Sequence, residues 1–306
     1  MIDRYLVLGG AGFIGKRIVS ELCALGKDVT SVSLHLPEKR DMVKEAYYLS
    51  LDLTVEEDVI TLFSNSYQYV INAMGYVNHS KFKKGGFQVV SAHLLSTINQ
   101  LRYIDTGALK KYLYIGSADE YPQSLTPLNE EMRENAISPY SFSKSSVTHF
   151  LQMLYRSESI PTSVIRVFLA YGPGQNSERF IPQIIESSLQ GKLIETSYGE
   201  QVRDFCYIDD LVSGVLTALH SPLALGEVFN LASGRGVQIK EVVSNLVGHL
   251  GGEVQFGARP YRDGESMYQV ADVEKAKAIL GWEPSMGLDE GLQLTIDWYK
   301  KNVFRR

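Results

Sequence analysis

Two residues that could transfer a proton, Tyr140 and Lys144, stand four positions apart in the segment SPYSFSK. Side chains at this spacing project from one face of a helix. A tyrosine phenol has an ordinary pKa of about 10, and a neighbouring ammonium group favours its ionised form. The pair could therefore exchange a proton with a bound molecule near neutral pH. The spacing alone is also typical of an amphipathic helix without a catalytic role.

A second group of reactive side chains follows the apolar run 112–115, in the segment SADEYP. Ser117 could hydrogen-bond a reacting oxygen, and Asp119 and Glu120 could serve as an acid and a base. Neighbouring side chains in regular structure point in different directions, so adjacent carboxylates do not easily serve one reacting centre. The residues leave two interpretations open, an acid–base pair or the solvated start of a loop.

A glycine-rich turn near the amino end could bind a phosphate. Gly9, Gly12 and Gly15 lie in LGGAGFIG, between a predicted strand and a predicted helix that opens with Phe13 and Ile14. A turn without side chains lets the backbone approach a pyrophosphate, which the free N–H groups and the dipole of the helix then hold. Because the strand, the spacing and the helix agree, the segment predicts a dinucleotide site.

These residues are set in a chain whose first half alternates apolar runs with helix-like stretches. The runs YLVLGG, DVTSVSL, YQYVINAMG, KYLYIGS and PTSVIRVFLAYG read as strands. This alternation is typical of β-α-β units around a parallel sheet covered on both faces. After YGPG at 171–174 the chain continues with shorter helices and isolated strands. We expect an α/β fold, a Rossmann-type doubly wound parallel sheet with a smaller α/β substrate-binding domain.

The predicted division assigns residues 1–170, with a return segment at about 204–231, to the dinucleotide-binding domain. Residues 171–203 and 232–306 then form the substrate-binding domain. Open α/β sheets bind ligands outside the carboxyl ends of their strands. The cleft between the two domains is therefore the predicted active site.

Composition and charge argue against several classes of function. The 306 residues carry a formal charge of −5, which disfavours a nucleic-acid partner held by a broad basic face. Two cysteines are too few for a disulfide scaffold, and the six histidines include no pair at metal-ligand spacing. No apolar run reaches the length of about 18 residues that spans a membrane, and no secretory leader is visible. We expect a cytoplasmic protein with no metal, no membrane contact and no nucleic-acid partner.

The end of the second predicted strand should select the cofactor. A carboxylate there would accept hydrogen bonds from the adenosine ribose of NAD and repel the extra phosphate of NADP. The segment SVSLHLPEKR instead has Ser33 at this place, followed by His35, Lys39 and Arg40. A neutral hydroxyl near cations favours NADP, with NAD as the alternative if the cations only solvate a loop.

The chain resembles the extended short-chain dehydrogenases/reductases, in their group of nucleotide-sugar epimerases, dehydratases and reductases. The resemblance covers essentially the whole length, through GGAGFIG, Ser117, YSFSK, VIRVFLAYGPGQ, RFIP, GEQVRDFCYIDDLV, GEVFNLASG and KAILGWEP. It implies that Ser117 hydrogen-bonds the sugar oxygen, that Tyr140 transfers its proton, and that Lys144 binds the nicotinamide ribose and tunes Tyr140.

The same resemblance implies further contacts to the cofactor and the substrate. The implied cofactor contacts are Asp52 and Leu53 at the adenine, Ala73, Met74 and Gly75 at the ribose, and Phe168. The implied substrate contacts are Asp119, Leu169, Arg179, and the diphosphate-binding Arg203 and Arg262.

The chain also departs from the pattern of this group. Leu169 replaces an asparagine that usually contacts the diphosphate, and His93 stands where an asparagine is usual, in a position that leaves a sheet-supporting role open. The 4,6-dehydratases typically carry Asp and then Glu directly after the residue that matches Ser117, whereas this chain has Ala118 and Asp119. Since elimination of water needs both an acid and a base, dehydration is disfavoured. Asp119 and Glu120 are then interpreted as loop residues or contacts to substrate hydroxyls.

Two reactions need only Ser117, Tyr140 and Lys144: reduction of a sugar ketone, and 4-epimerisation with a retained NAD. The missing strand-end carboxylate favours reduction, as does the similarity of YGEQVRDFCYIDDLV and FGARPYRDGESMYQVADVEKAKAILGW to abequose- and paratose-synthase-like enzymes of deoxysugar biosynthesis. We predict NADPH-dependent reduction of the 4-keto group of a nucleotide-linked 6-deoxyhexose. The alternative is an NAD-dependent 4-epimerase, with a 4,6-dehydratase less favoured. A non-enzymatic cofactor sensor is disfavoured because the chain keeps both Tyr140 and Lys144.

The segments FQVVSAHLLSTINQLRYI and SFSKSSVTHFLQMLYRS are apolar over more than one helical face. By the resemblance, two such helices from each subunit form the interface of a homodimer. The alternative is that both helices are buried within one subunit.

Overall fold

The structure, a computed structural model, describes residues 2–262 and 264–303. These residues form thirteen strands. They are β1 (Arg4–Leu8), β2 (Asp28–Ser33), β3 (Tyr47–Ser50), β4 (Tyr69–Asn72), β5 (Lys111–Ser117), β6 (Thr162–Val167), β7 (Leu169–Tyr171), β8 (Ile194–Thr196), β9 (Val202–Tyr207), β10 (Val228–Leu231), β11 (Gly236–Gln238), β12 (Val254–Phe256) and β13 (Tyr268–Gln269).

The same residues form nine α-helices, several short 3-10 turns and two π-helical turns. The α-helices are α1 (Phe13–Ala24), α2 (Glu56–Phe63), α3 (Gly86–Val90), α4 (Ser96–Tyr103), α5 (Pro139–Glu158), α6 (Phe180–Leu189), α7 (Ile208–His220), α8 (Ile239–Leu250) and α9 (Leu288–Asn302). The π-helical turns are Ser91–Leu95, which joins α3 to α4, and Ala276–Leu280.

Seven of the strands form one parallel sheet in the spatial order β10-β6-β5-β4-β1-β2-β3. From β1 the chain adds β2 and β3 on one side of the sheet and then adds β4, β5, β6 and β10 on the other side. The boundary between β1 and β4 is therefore the switch point where such sheets bind ligands. The predicted Rossmann-type doubly wound fold is confirmed.

The sheet is covered on both faces because alternate side chains of each strand point to opposite sides. Val7, Ile71 and Leu113 belong to an apolar cluster that also contains the buried residues of α1 and α7. Leu6 and Tyr112 belong to a second cluster on the opposite face, with the buried residues of α2 and α5. This two-sided burial explains why the strands read as unbroken apolar runs.

The other strands form two small sheets. In one, β9 pairs with β7, β11 and β13, and in the other β8 pairs with β12. The predicted domain boundaries stay a prediction.

A buried carboxylate on β9 ties distant segments together. The side chain of Asp204 is completely buried and accepts hydrogen bonds from the backbone N–H groups of Ser233, Gly234 and Ala271 at 2.8–3.2 Å. The hydroxyl of Ser233 donates to the same carboxylate. Ser233 and Gly234 follow β10 of the large sheet, and Ala271 follows β13 of the small sheet. The side chain of Asp204 therefore joins the large sheet to the small sheet that contains β9.

Over residues 2–262 and 264–303, no helix combines the length and the apolar character that crossing a lipid bilayer requires.

Candidate active site

The residues predicted to do chemistry meet at the carboxyl end of β5. Ser117 is the last residue of this strand, and its hydroxyl accepts a hydrogen bond from the N–H of Asp119 at 3.1 Å. Its own N–H donates to Oε1 of Glu120 at 2.8 Å. These two bonds cap the 3-10 turn Ala118–Glu120 and fix the orientation of Ser117.

Tyr140 and Lys144 lie in the first turns of α5, as their spacing predicts. The helix starts there because Ser138 is its N-cap, accepting from the N–H of Ser141, and Pro139 occupies the first helical position. Tyr140 is 6% exposed and Lys144 is 4% exposed. The structure therefore brings Ser117, Tyr140 and Lys144 to one site, since the hydroxyl of Ser117 is near enough to the phenol of Tyr140 to lower its pKa.

The pKa of Tyr140 differs from the expectation that Lys144 favours the phenolate. Burial raises this pKa well above its ordinary value, and the charge of Asp119 raises it further. The ammonium group of Lys144 is directed at a different acceptor. Its Nζ donates to the carbonyl of Ile115 at 2.8 Å and lies 5.9 Å from the centre of the Tyr140 ring. Burial also lowers the pKa of Lys144 to about 8. In this arrangement Tyr140 is a protonated phenol at neutral pH and is suited to donate a proton.

The glycine turn has the close packing that a phosphate cradle needs. Gly9 has φ +78°, and a Cβ built there would lie 2.6 Å from the carbonyl oxygen of Ala73. A Cβ on Gly15 would lie 2.2 Å from the carbonyl oxygen of Gly9. Gly12 is the N-cap of α1, which begins at Phe13. The turn thus presents bare backbone and a helix N-terminus at the switch point, and this fits a dinucleotide pyrophosphate.

The residues predicted to select the cofactor lie at the end of β2, among charges of both signs. The hydroxyl of Ser33 accepts from the N–H of Ala11 in the glycine turn at 2.9 Å. Arg40 is exposed and its Nε lies 2.9 Å from Glu38, whereas Asp41 binds Lys16 of α1 at 2.5 Å. His35 and Lys39 are exposed.

The other predicted cofactor contacts are spread around the same edge. Ala73, Met74 and Gly75 follow β4 directly, and the N–H of Met74 is held by the side chain of Asn72 at 3.1 Å. Leu53 is buried in the apolar cluster below the sheet, and Asp52 accepts from the N–H and hydroxyl of Thr54. Phe168 is buried with its ring centre 6.3 Å from that of Tyr121.

The two carboxylates of SADEYP have different roles. Glu120 is completely buried, and its Oε2 accepts from Nε of Arg166 at 3.0 Å and from the hydroxyl of Thr148 at 2.8 Å. Its interpretation as a contact to substrate hydroxyls is therefore wrong, because its oxygens are occupied inside the protein, although it does lie in the turn that follows β5. Asp119 is one-third exposed, and its oxygens lie 3.1 Å from Nε2 of Gln269 and 3.7 Å from Nε2 of His79. Asp119 alone remains available to a substrate.

Two of the arginines predicted to bind the substrate, Arg203 and Arg262, contact the same glutamate. Arg203, on β9, is 9% exposed, and its Nη2 lies 3.3 Å from Oε1 of Glu265. The N–H of Arg262 donates to the other oxygen of Glu265 at 3.1 Å, with the Arg262 side chain exposed. Arg179 is the N-cap of α6, and its charge is near enough to lower the pKa of Tyr140. Leu169 opens β7 and is 37% exposed.

Two histidines that were not predicted to belong to the site flank the ring of Tyr140 edge-on. The ring centres of His79 and His93 lie 5.5 Å and 5.4 Å from the centre of Tyr140. His79 lies in the loop after β4, and loops at the carboxyl end of a parallel strand are where functional residues gather. That position is the signal that could have found it. No group of three or more His, Cys, Asp or Glu residues that could hold a metal lies within the part of the chain that the structure describes.

Comparison with known proteins relates this chain to enzymes that act on nucleotide sugars. A family model described as the NAD dependent epimerase/dehydratase family matches residues 5–232. The UDP-glucuronate 4-epimerase of Thermodesulfobacterium geofontis is 27% identical over 98% of this chain and 97% of its own. The structure of the UDP-glucose 4-epimerase of Thermotoga maritima with UDP-glucose is 27% identical with a TM-score of 0.91, covering 98% of this chain and 99% of its own. The structure of the UDP-glucose 4-epimerase of Thermus thermophilus with NAD is 25% identical with a TM-score of 0.88, covering 98% and 99%.

Proposed function

The chain belongs to the NAD dependent epimerase/dehydratase family, and from this membership we propose that it reduces the 4-keto group of a nucleotide-linked 6-deoxyhexose with NADPH. It is an NAD(P)-dependent enzyme of the extended short-chain dehydrogenase/reductase type. The choice of reduction within the family rests on Ser33, which stands where a carboxylate would favour NAD, and on the placement of Tyr140 as a proton donor.

The observation that carries the proposal is the placement of the buried phenol of Tyr140 near Ser117 at the carboxyl end of β5, where it can donate a proton. A ketone that receives hydride becomes an alkoxide and needs a proton at its oxygen. Tyr140 supplies that proton, and Ser117, held by the cap of its 3-10 turn, orients the same oxygen. A bound nicotinamide cofactor supplies the hydride.

The residues around Ser117 disfavour elimination of water. Ala118 has no acidic group, and Glu120 is held by Arg166 and Thr148. Asp119 is then the single carboxylate of this segment that can reach a substrate, whereas elimination needs a separate acid and base. We propose that Asp119 contacts a sugar hydroxyl.

The cofactor would be held by the glycine turn at its pyrophosphate and by Lys144 at its nicotinamide ribose. NADP is the proposed form, because Ser33 replaces the carboxylate that would repel the extra phosphate. Arg40 and Lys39, which are exposed after β2, are the cations proposed to bind this phosphate. Arg40 must first exchange its contact with Glu38.

The diphosphate of the substrate would be bound by Arg203 and Arg262. Guanidinium groups suit this role because their planar fork matches phosphate oxygens. Glu265 accepts from the side chain of Arg203 and from the backbone of Arg262, so it orders both residues before the substrate arrives.

A second candidate function, an NAD-dependent 4-epimerase, is favoured by the names of the relatives. Two of the proteins that are 27% identical to this chain are 4-epimerases of UDP-sugars, and another is a UDP-glucuronic acid decarboxylase. Epimerisation uses the same Ser117, Tyr140 and Lys144, and differs in retaining the cofactor and returning the hydride to the opposite face.

We also propose that the protein is a homodimer. Phe87 on α3, Leu95 in the π-helical turn, and Phe142 and Met153 on α5 are 44–57% exposed, although they are large and apolar. Pairing these helices with a second copy would cover them. The cytoplasmic location stays a prediction.

The discriminating experiment supplies the purified protein with a 4-keto-6-deoxyhexose linked to a nucleoside diphosphate, with NADPH or NADH. We expect NADPH to be consumed and a 6-deoxyhexose nucleotide to form. If neither reduced cofactor is consumed, the reductase proposal is wrong. Tightly bound NAD released from the denatured protein, together with interconversion of UDP-glucose and UDP-galactose, would establish the epimerase instead.

A further inference from the structure

His93 is the side chain that contacts both the catalytic phenol and the loop after β4. It is 2% exposed and lies in the π-helical turn Ser91–Leu95. Its ring stands edge-on to Tyr140, and its Nε2 lies 3.2 Å from the carbonyl oxygen of Tyr76. Insertions of this kind in α-helices occur frequently at functional sites.

The hydrogen bond to Tyr76 determines the tautomer of His93. A carbonyl oxygen can only accept, so Nε2 must carry the hydrogen. Burial and the charge of Lys144 lower the pKa of His93 to about 3, so the ring is neutral. Nδ1 therefore bears a free lone pair. Among the described residues it has no hydrogen-bond partner, although it is buried.

The edge of the ring that carries this lone pair is turned toward Gly75. A Cβ built on Gly75 would lie 1.8 Å from Cε1 and 2.4 Å from Nδ1 of His93. Gly75 has φ +110°, and its missing side chain is what lets the ring approach the loop. The unpartnered acceptor thus lies beside the loop that follows β4, and the charge of Lys144 is near enough to lower the pKa of its ring.

Two sets of hydrogen bonds connect the π-helical turn to the loop after β4. The hydroxyl of Thr97 donates to the carbonyl of His93 at 2.7 Å and accepts from Nδ2 of Asn72 at 3.2 Å. Asn72 in turn holds the N–H of Met74, and the imidazole holds Tyr76. These hydrogen bonds hold the imidazole ring of His93 between the loop and Tyr140.

We propose that His93 is a positioning residue whose Nδ1 accepts a hydrogen bond from a hydroxyl group in the cofactor cleft and so keeps Tyr140 aligned with the bound cofactor. The donor is an O–H group, either a ribose hydroxyl of the dinucleotide or a water molecule on Lys144. This inference rests on the nicotinamide cofactor of the proposed function, and it holds for reduction and epimerisation alike.

The test begins with the imidazole itself, so it needs no turnover. In ¹⁵N NMR spectra of the labelled protein, His93→Asn identifies the His93 signals by their loss. We expect Nε2 to be protonated and Nδ1 to be unprotonated. A shift of the Nδ1 signal on addition of ADP-ribose, but not of ADP, identifies a ribose hydroxyl as the donor. An Nδ1 signal that already shows a hydrogen bond without any nucleotide identifies water.

The second measurement uses His93→Phe, which keeps a ring of similar size without nitrogen. For a ribose donor we expect the dissociation constant of ADP-ribose to rise about fivefold to tenfold, the effect of one hydrogen bond, while that of ADP is unchanged. For a water donor we expect an unchanged dissociation constant and a lower kcat at constant KM. His249→Phe, at an exposed site on α8, is the matched control.

The proposal is overturned if Nδ1 carries the hydrogen, or if its signal shows no hydrogen bond with or without ADP-ribose. It is equally overturned if His93→Phe matches the wild type in dissociation constant and kcat. Should this variant fail to fold, as judged by circular dichroism, the spectra of the wild-type protein still decide the question. A failure of the reductase assay leaves the NMR spectra and the dissociation constants of ADP-ribose and ADP unaffected.

Discussion

Oε2 of Glu120 lies 3.0 Å from Nε of Arg166, and each of these side chains is at most 1% exposed. The pair anchors the 3-10 turn that carries Ser117 and Asp119 to the neighbouring strand β6. Glu120 therefore contributes to the site by holding its backbone, and the adjacent Asp119 faces the cleft.

Replacing Glu120 by Gln should destabilise the protein. The substitution keeps the shape of the side chain but leaves Glu134 as the remaining carboxylate partner of the buried Arg166. We therefore expect a loss below the about 3–5 kcal/mol that follows when a buried charge loses its partner entirely. Urea unfolding measures the loss, with Glu131→Gln at an exposed position as the control. Equal stability of the two variants would show that the pair contributes nothing.

Replacing Tyr140 by Phe should remove turnover and leave cofactor binding intact. Loss of a general acid typically lowers the rate by about 10² to 10⁴-fold. Steady-state kinetics and fluorescence titration with NADPH separate the two effects, and Tyr198→Phe, which is exposed, is the control. Turnover that survives in Tyr140→Phe would mean that another group donates the proton.

Replacing Asp119 by Asn should shift the pH profile to lower pH. The negative charge of Asp119 is, after burial, the second cause that raises the pKa of Tyr140. Without it the phenol ionises at lower pH, so the alkaline limit of ketone reduction moves down. The onset of the reverse oxidation moves in the same direction. Rates measured against pH in both directions check this, with Asp297→Asn as the exposed control; an upward shift would contradict it.

Replacing Lys144 by Met should stabilise the protein at neutral pH while lowering its activity. Burial lowers the pKa of Lys144 from 10.5 to about 8, so between these values the unfolded chain binds more protons than the folded one. By linkage, stability rises with pH across this interval, and below about pH 8 the buried charge has its full cost. We expect a gain of about 1–3 kcal/mol at pH 7 that shrinks above pH 10.

Urea unfolding of Lys144→Met at pH 7 and pH 10 provides the measurement, and Lys192→Met, at an exposed position, provides the control. A difference from the wild type that does not depend on pH would show that packing, and not the charge, determines the effect.

Replacing Ser33 by Asp should move the cofactor preference toward NADH. A carboxylate at the end of β2 repels the extra phosphate of NADPH and accepts hydrogen bonds from the ribose of NADH. We expect the ratio of the NADPH and NADH dissociation constants to rise about tenfold. Ser50→Asp, the register partner of Ser33 on β3, controls for the added charge. If the wild-type protein already prefers NADH, the proposal of NADP is wrong.

Much of the fold could be predicted from the sequence because local patterns determine it. The run KYLYIGS corresponds to all of β5, since a strand buried on both faces is apolar without interruption. Ser138 and Pro139 could also have indicated the start of α5, because Ser as N-cap and Pro at the first helical position are typical of a helix N-terminus. The meeting of Ser117, Tyr140 and Lys144 follows from these two elements.

The parts of the site that could not be predicted depend on tertiary pairing. Glu120 meets Arg166 only because Gly116 of β5 lies opposite Arg166 of β6 in the sheet register. Nothing in the segment SADEYP indicates a partner 46 residues away. The raised pKa of Tyr140 is of the same kind, because burial depends on the whole enclosing structure and not on the nearby Lys144.

The hydrogen bonds that converge on Asp204 bear on how the chain folds. Their donors Ser233 and Ala271 are 29 and 67 residues away along the sequence, and loop-closure entropy opposes contacts of such separation. A carboxylate without these donors stays hydrated, so we expect this junction to form late in folding. A chain truncated before residue 233 would keep the glycine turn but lose Ser233, Gly234 and Ala271. The hydrogen bonds that hold Asp204 of β9 could then not form, and the active site would not assemble.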